Sequence, residues 1–361
     1  MNKAEAEYLA RLVHKGLVAE ADARAALAKR DGEEPLPALL ERLGTLPPGE
    51  AQRLFDNCVG EEPQLSRYRI VQRLGDGATA YVFEAEDLRE PKRVALKVLR
   101  EEVARVPAKL KRFVEEAQLL CRLRHPGIVE GLRVAKDRGT VFLAMELVRG
   151  ETLEDQLLRG DRFDEVDALR IVHAVASALA YLKNEGFVHR DLKPGNLMRD
   201  GQGAVRLIDL GFAVQVGNAT ESDVTVGTVE YIAPEQARGE SGLDSRADIY
   251  SLGATLYHLV VGEPPFAGED NQEVLLKQVM AELSSEKIKA LDLSPQLHYF
   301  IEKMMAKDRE IRYQEPAEVV ADLEEKLGQA LVAEPAPEPP AIRTKRRRKS
   351  GRAGGRSRRR R

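Results

Sequence analysis

Residues 186–198 read GFVHRDLKPGNLM, residues 206–213 read RLIDLGFA, and residues 226–237 read VGTVEYIAPEQA. Three short signatures stand there in one order. His189-Arg190-Asp191 is followed five residues later by Asn196, and Asp209-Leu210-Gly211 begins thirteen residues after that asparagine. Ala233-Pro234-Glu235 closes the run. Alone, each string discriminates poorly. In this order and at these spacings they form a specific set, and the rest of the chain has to fit around them.

Upstream, the pattern from Tyr68 is that of strands. YRIVQRLG alternates and runs into Gly75-Asp76-Gly77-Ala78-Thr79-Ala80, after which VFEAEDL and RVALKVL follow. That order predicts a hairpin and a third strand. Glycines at 75 and 77 let backbone approach a ligand closely, and Ala80 stands where a third glycine would complete the repeat. Lys97 lies within an otherwise apolar strand, where its charge is costly unless partnered. FVEEAQLLCRLRHPGIV predicts a helix ended by His-Pro-Gly, residues 141–147 a strand, and residues 149–153 the start of the next helix. The apolar string 171–186 predicts a long helix leading into the opening stretch, and QEPAEVVADLEEKLGQAL a last helix ending near Leu331.

The ordered signatures resemble those of the eukaryotic-type (Hanks-type) protein kinases, most closely their bacterial serine/threonine branch. The resemblance implies an α+β, two-lobed protein-kinase-like fold with ATP and Mg2+ as ligands. By it, Asp191 would accept the proton of the substrate hydroxyl and Lys193 would neutralise the γ-phosphate. Asn196 and Asp209 would bind magnesium, an ion suited by hard oxygen ligands. Lys97, in Val94-Ala95-Leu96-Lys97, would hold the α- and β-phosphates under the loop of Gly75 and Gly77. Its helix partner would be Glu116, nine residues before His125, with the adjacent Glu115 as the rival. Met145 would be the gatekeeper, and the backbone of residues 146–148 (Glu146 to Val148) would meet adenine. Leu74, Val82, Ala95 and Met198 would wall the base. Asp248 would anchor backbone, Arg312 would pair with Glu235, and Thr228 would support Asp191. One departure is Leu210, where the family usually has Phe. Arg190, before the catalytic aspartate, implies a phosphorylated activation segment, with Thr220, Ser222 and Thr225 as candidates. A pseudokinase or nucleotide-sensing scaffold is the alternative, and the four intact polar positions weigh against it. A small-molecule phosphotransferase is disfavoured by GTVEYIAPE, a peptide-docking element.

Outside this frame the chain is less specific. Its 361 residues, 43% hydrophobic, suffice for roughly two domains. The net charge of −3 hides twelve basic residues in 341–361; subtracting them leaves the remainder at −15. Residues 1–63 predict a small helical N-terminal domain, with a stripe of Leu9, Leu12, Val13 and Leu17, further helices at 20–30 and PALLERLG, and a fourth at GEAQRLFDNCV. A weak internal echo suggests two helical hairpins, either a structural appendage or a docking module for an unknown partner. The kinase domain would span 68–331, with lobes at 68–148 and 149–331. Residues 332–361 are a Pro-rich linker and a basic tail expected to be disordered. The tail suits a polyanion (nucleic acid, ribosome or anionic lipid) or the acidic body itself, and Ser350 and Ser357 stand behind arginines. Two cysteines without a CxxC pair, no signal-like core and no transmembrane segment predict a cytoplasmic protein with protein substrates.

Overall fold

A computed structural model of the chain describes residues 3–14, 17–30, 34–47, 49–51, 55, 63–211, 213–215, 228–283 and 293–328. Three helices come first: α1 (Lys3–His14), α2 (Glu20–Ala28) and α3 (Leu36–Arg42). Tyr8, Leu9, Leu12, Val18, Leu36, Leu39 and Leu40 form a cluster of their own. The expected stripe fails at Leu17, which is 45% exposed. The cause is local: Leu17 and Val18 both donate their N–H to Leu12 O, at 3.0 and 3.2 Å, so the chain turns and Val18 enters the core instead. A buried Glu5 carboxylate ties the helices by accepting from Arg30 at 2.7 Å and from the Leu36 N–H at 3.1 Å. Of the expected fourth helix, Ala51 and Phe55 pack on Tyr8, whose hydroxyl donates to Ala51 O at 2.7 Å. The remainder of that segment lies outside the described residues.

A five-stranded antiparallel sheet follows, in the order β1-β2-β3-β5-β4. Its strands are β1 (Tyr68–Asp76), β2 (Ala80–Asp87), β3 (Lys92–Leu99), β4 (Gly131–Asp137) and β5 (Thr140–Glu146), with α4 (Glu101–Ala104) and α5 (Pro107–Arg122) between β3 and β4. Both faces are covered, which explains the continuous apolar run of β3. Val94, Leu96 and Val98 join Phe83 and Phe142 on one face. Ala95 and Leu99 join Phe113, Ala117 and Leu120 of α5 on the other, the face from which Lys97 projects. Proline at N1 starts α5, six residues before the sequence pattern does.

The remaining elements are β6 (Gly150–Thr152), α6 (Leu153–Leu158), α7 (Glu165–Asn184), β7 (Phe187–Val188), β8 (Leu197–Asp200), β9 (Val205–Leu207), β10 (Val214–Gln215), α8 (Pro234–Ala237), α9 (Ser245–Val261), α10 (Asn271–Met280), α11 (Pro295–Met304) and α12 (Pro316–Leu327). Residues 150–152 are thus a strand, not the helix start expected of 149–153. Gly150 pairs with Asp200, and a Cβ there would lie 1.9 Å from Arg199 O, so tight pairing with β8 decides the local conformation. Thr152 then caps α6, its hydroxyl accepting from the Asp155 N–H at 3.0 Å. α9 is buried almost all round, packed by α7 and α11. The expected extension of α12 to Leu331 falls outside the described residues.

Candidate active site

The loop after β7 and the small sheet β6-β8-β9 carry the opening signatures. Asp248, on α9 and 2% exposed, accepts the N–H groups of His189 at 2.8 Å and Arg190 at 2.7 Å. Those bonds hold Arg190 at φ 69°, a left-handed conformation that costs a non-glycine residue about 1 kcal/mol or more. Burial pushes the Asp248 carboxyl up, against the pull of His189 and the two N–H groups. His189 Nδ1 accepts from the Asp191 N–H at 3.3 Å, which leaves Nε2 to donate to Asp209 O at 2.7 Å. One imidazole thereby links the two acidic signatures.

The polar side chains converge. Asn196 Nδ2 donates to Asp191 O at 2.7 Å and to Asp191 Oδ2 at 3.0 Å. Lys193 Nζ lies 3.2 Å from the same Oδ2 and donates to Thr228 Oγ1 at 2.8 Å. The Arg190 carbonyl accepts from Gln236 of α8 at 3.0 Å, fixing the Ala-Pro-Glu segment against the loop. Glu235 in turn receives a two-pronged bond from Arg312 at 2.6 and 2.8 Å, with both side chains buried.

From the sheet side, Lys97 Nζ donates to Glu116 Oε1 at 2.7 Å and to Asp209 Oδ1 at 2.9 Å. Glu115, the rival, points away and is 63% exposed beside Lys111. Burial works against the charge of Lys97, but Asp209 and Glu116 overcome it and hold the ammonium above its ordinary range. Burial lifts Glu116 above the carboxylate range despite Lys97, with Asp209 adding to the rise. Burial pushes the Asp209 carboxyl up, but the Lys97 ammonium overcomes it and holds the group low. Gly211 N–H also donates to Asp209, at 2.9 Å, and Leu210 behind it is 1% exposed.

Ala95, Met145 and Val148 are buried, Val82 and Met198 half-buried, and Leu74 is 45% exposed on the edge strand β1. The Glu146 N–H is taken by Glu130 O at 2.8 Å. Gly77 N–H closes the glycine-rich turn on Ala80 O at 3.0 Å. Thr220, Ser222 and Thr225 lie outside the described residues. Sequence reasoning missed Gln236 and also Gln278, a fully buried α10 residue that donates to Val229 O at 3.1 Å and Glu230 O at 2.7 Å. A glutamine in an amphipathic helix gives no local sign of partners 48 residues away.

The donor set fits a nucleotide with a divalent cation. Asn196 spends its NH2 group on Asp191 and keeps its amide oxygen as a donor to a cation, and the Asp209 side chain is 37% exposed. Among the described residues no group of three His, Cys, Asp or Glu side chains could hold a metal by itself. A cation held by one carboxylate and one amide would complete its shell with water and phosphate oxygens, as small hard cations do.

The family model of the protein kinase domain matches residues 68–322. The serine/threonine-protein kinase PknB of Mycolicibacterium smegmatis is 37% identical over 265 residues, covering 71% of this chain and 42% of that protein. A probable serine/threonine-protein kinase of Streptomyces coelicolor is 35% identical over 274 residues, 73% of this chain and 41% of its own length. PknB of Mycobacterium leprae is 36% identical over 269 residues, 72% and 43% respectively. The chain therefore spans about two fifths of the length of these curated relatives. Members of the family use ATP and a divalent metal. With a matching family model over most of its length and relatives of one kind, the chain belongs to the protein kinase family and carries a serine/threonine protein kinase domain of the eukaryotic type found in bacteria.

Proposed function

We propose that this protein is an active serine/threonine protein kinase that transfers the γ-phosphoryl group of ATP to hydroxyls of proteins. The observation that carries the reading is the convergence of Lys193 and Asn196 on Asp191, with Lys193 held in turn by Thr228, together with a formed Lys97–Glu116 pair. Phosphoryl transfer asks a protein mainly for positioning and charge neutralisation. Both donors address Asp191 Oδ2, so Oδ1 is the oxygen left to take the substrate proton. Lys193 neutralises the phosphoryl group in flight and, through Thr228, ties the catalytic loop to the peptide-docking segment. Lys97 binds the α- and β-phosphates, held in place by Glu116. Gly75 and Gly77 bring backbone over them. Leu74, Val82, Ala95, Met145 and Met198 wall the adenine, and the backbone of Glu146 to Val148 meets its edge. Asn196 and Asp209 hold the cation, taken as Mg2+, which when bound neutralises the phosphate charge. Labelled ATP, Mg2+ and a basic protein substrate test this: the label should appear on serine or threonine. Label on neither residue contradicts the reading.

The finer organisation belongs to the same proposal. Residues 1–63 form an N-terminal module, either a structural appendage or a docking site for an unknown partner, 68–331 the kinase, and 332–361 a linker and cationic tail that binds polyanions. Autophosphorylation among Thr220, Ser222 and Thr225 sets activity through Arg190. No helix among the described residues is long and apolar enough to cross a membrane.

A further inference from the structure

Arg100 follows β3 directly, three positions beyond Lys97, and its side chain reaches back to the glycine-rich turn. Nε donates to Gly77 O at 2.9 Å, Nη1 donates to the Tyr81 hydroxyl at 2.5 Å, and Nη2 pairs with the Asp76 carboxylate. The guanidinium also stacks on the Tyr81 ring, 4.0 Å from its centroid. Arg73 approaches the same ring, also at 4.0 Å, and pairs with Asp76 at 2.6 Å. Main chain adds a further tie, from the Arg100 N–H to Thr79 O at 3.0 Å. Arg100 is thus bonded by main or side chain to three positions of the turn, 76, 77 and 79, and to Tyr81 at the start of β2. Its side chain is only 15% exposed.

The turn gains from such a tie. The β1–β2 ladder shifts register between Arg73 and Gly75, and only the Gly75–Val82 and Asp76–Tyr81 pairs stand between that bulge and the turn. Within the turn the Gly77–Ala80 bond is a single tie. A planar fork that satisfies a carbonyl, a carboxylate and a hydroxyl at once is something an ammonium cannot reproduce. We propose that Arg100 is a positioning residue: it fastens the phosphate-covering turn to the strand that carries Lys97, so that turn and lysine meet the nucleotide phosphates as one unit. Arg100 itself touches no reacting atom.

The inference rests on the kinase reading, and its test separates phosphate from base. Affinities of the full chain for adenosine and for a non-hydrolysable ATP analogue with Mg2+ are measured in wild type, Arg100→Ala, Arg100→Lys and Tyr81→Phe. Arg100→Ala should weaken the analogue about tenfold, the loss expected of one charge-assisted hydrogen bond, and leave adenosine within about twofold. Arg100→Lys should recover only part, and Tyr81→Phe should lose a few-fold. The KM for ATP should rise in the same order while kcat changes less. Equal weakening of adenosine and analogue would mark general damage and overturn the latch, as would unchanged analogue affinity in Arg100→Ala. If Arg100→Ala does not fold, unchanged analogue affinity in both Arg100→Lys and Tyr81→Phe overturns it instead. An active wild type with indifferent variants leaves the kinase reading standing, whereas a wild type that binds neither ligand contradicts both.

Discussion

Glu115 and Glu116 are neighbours in sequence, and one helical step turns them to different sides. Glu116 meets Lys97 at 2.7 Å, while Glu115 lies out beside Lys111. This was legible beforehand because Leu119, Leu120 and Leu123 mark the inward face of the same helix, and Leu119, Leu120 and Leu123 are all buried. Changing Glu116→Gln leaves Asp209 as the one charged partner of Lys97, and kcat/KM for ATP should fall about 10- to 100-fold, the range for a charged hydrogen bond. Steady-state kinetics reads this directly. Arg312 and Glu235 were also legible as a pair, and they form a fully buried one. Arg312→Ala strands a buried carboxylate and should cost about 3–5 kcal/mol of stability in a urea titration. Arg312→Lys should restore only a part, since it cannot make both bonds. Arg190 at φ 69° and the glutamines at 236 and 278 were not legible. Their conformation and partners are set by Asp248 and by carbonyls far along the chain.

At the scale of elements, long periodic helices read well and short pieces poorly. α7 carries apolar positions along its whole length, so its existence follows from pattern alone. β6 has three residues, and its reason to exist is the partner strand β8, which no window on 149–153 contains. α1 was read one turn too long because a leucine at the right spacing was counted on a helix that had already ended. α9 also carries a pH-dependent contribution. His258 Nδ1 contacts the Tyr231 hydroxyl at 2.6 Å with the rings stacked, and burial pushes its pKa down to about 4, only slightly offset by Glu263. In the unfolded chain the imidazole takes up its proton near pH 6.5, whereas the folded one stays neutral until about pH 4. Its contribution is therefore complete above about pH 6.5 and is lost as pH falls toward about 4. Allowing for partial exposure, wild type should lose about 1 kcal/mol more than His258→Gln between pH 7 and pH 5. Urea midpoints at the two pH values check it, and parallel losses would contradict it.

Across the whole molecule, three hydrophobic clusters organise the described residues: one of the N-terminal helices, one on the outer face of the sheet, and one running from α5 through the large helical body. The kinase frame was legible as a whole because its signatures must come together in space: Lys97 joins Glu116 and Asp209, Asn196 joins Asp191, and His189 links the two groups. What the N-terminal helices and the tail do was not legible, since neither carries a chemical constellation. The twelve tail cations make a testable exception. Removing residues 341–361 should abolish retention on a polyanion such as heparin, and binding of the full chain should fall steeply with salt, as counterion release requires. Retention that survives the deletion would assign it elsewhere. The central claim, that this chain performs phosphoryl transfer with Asp191 as its base, is tested most directly by comparing the full-length wild type with Asp191→Asn under saturating ATP and Mg2+ while nucleotide affinity is measured alongside. The account predicts that kcat falls about 10²- to 10⁴-fold with nucleotide affinity little changed; an Asp191→Asn protein that turns over like wild type would contradict it.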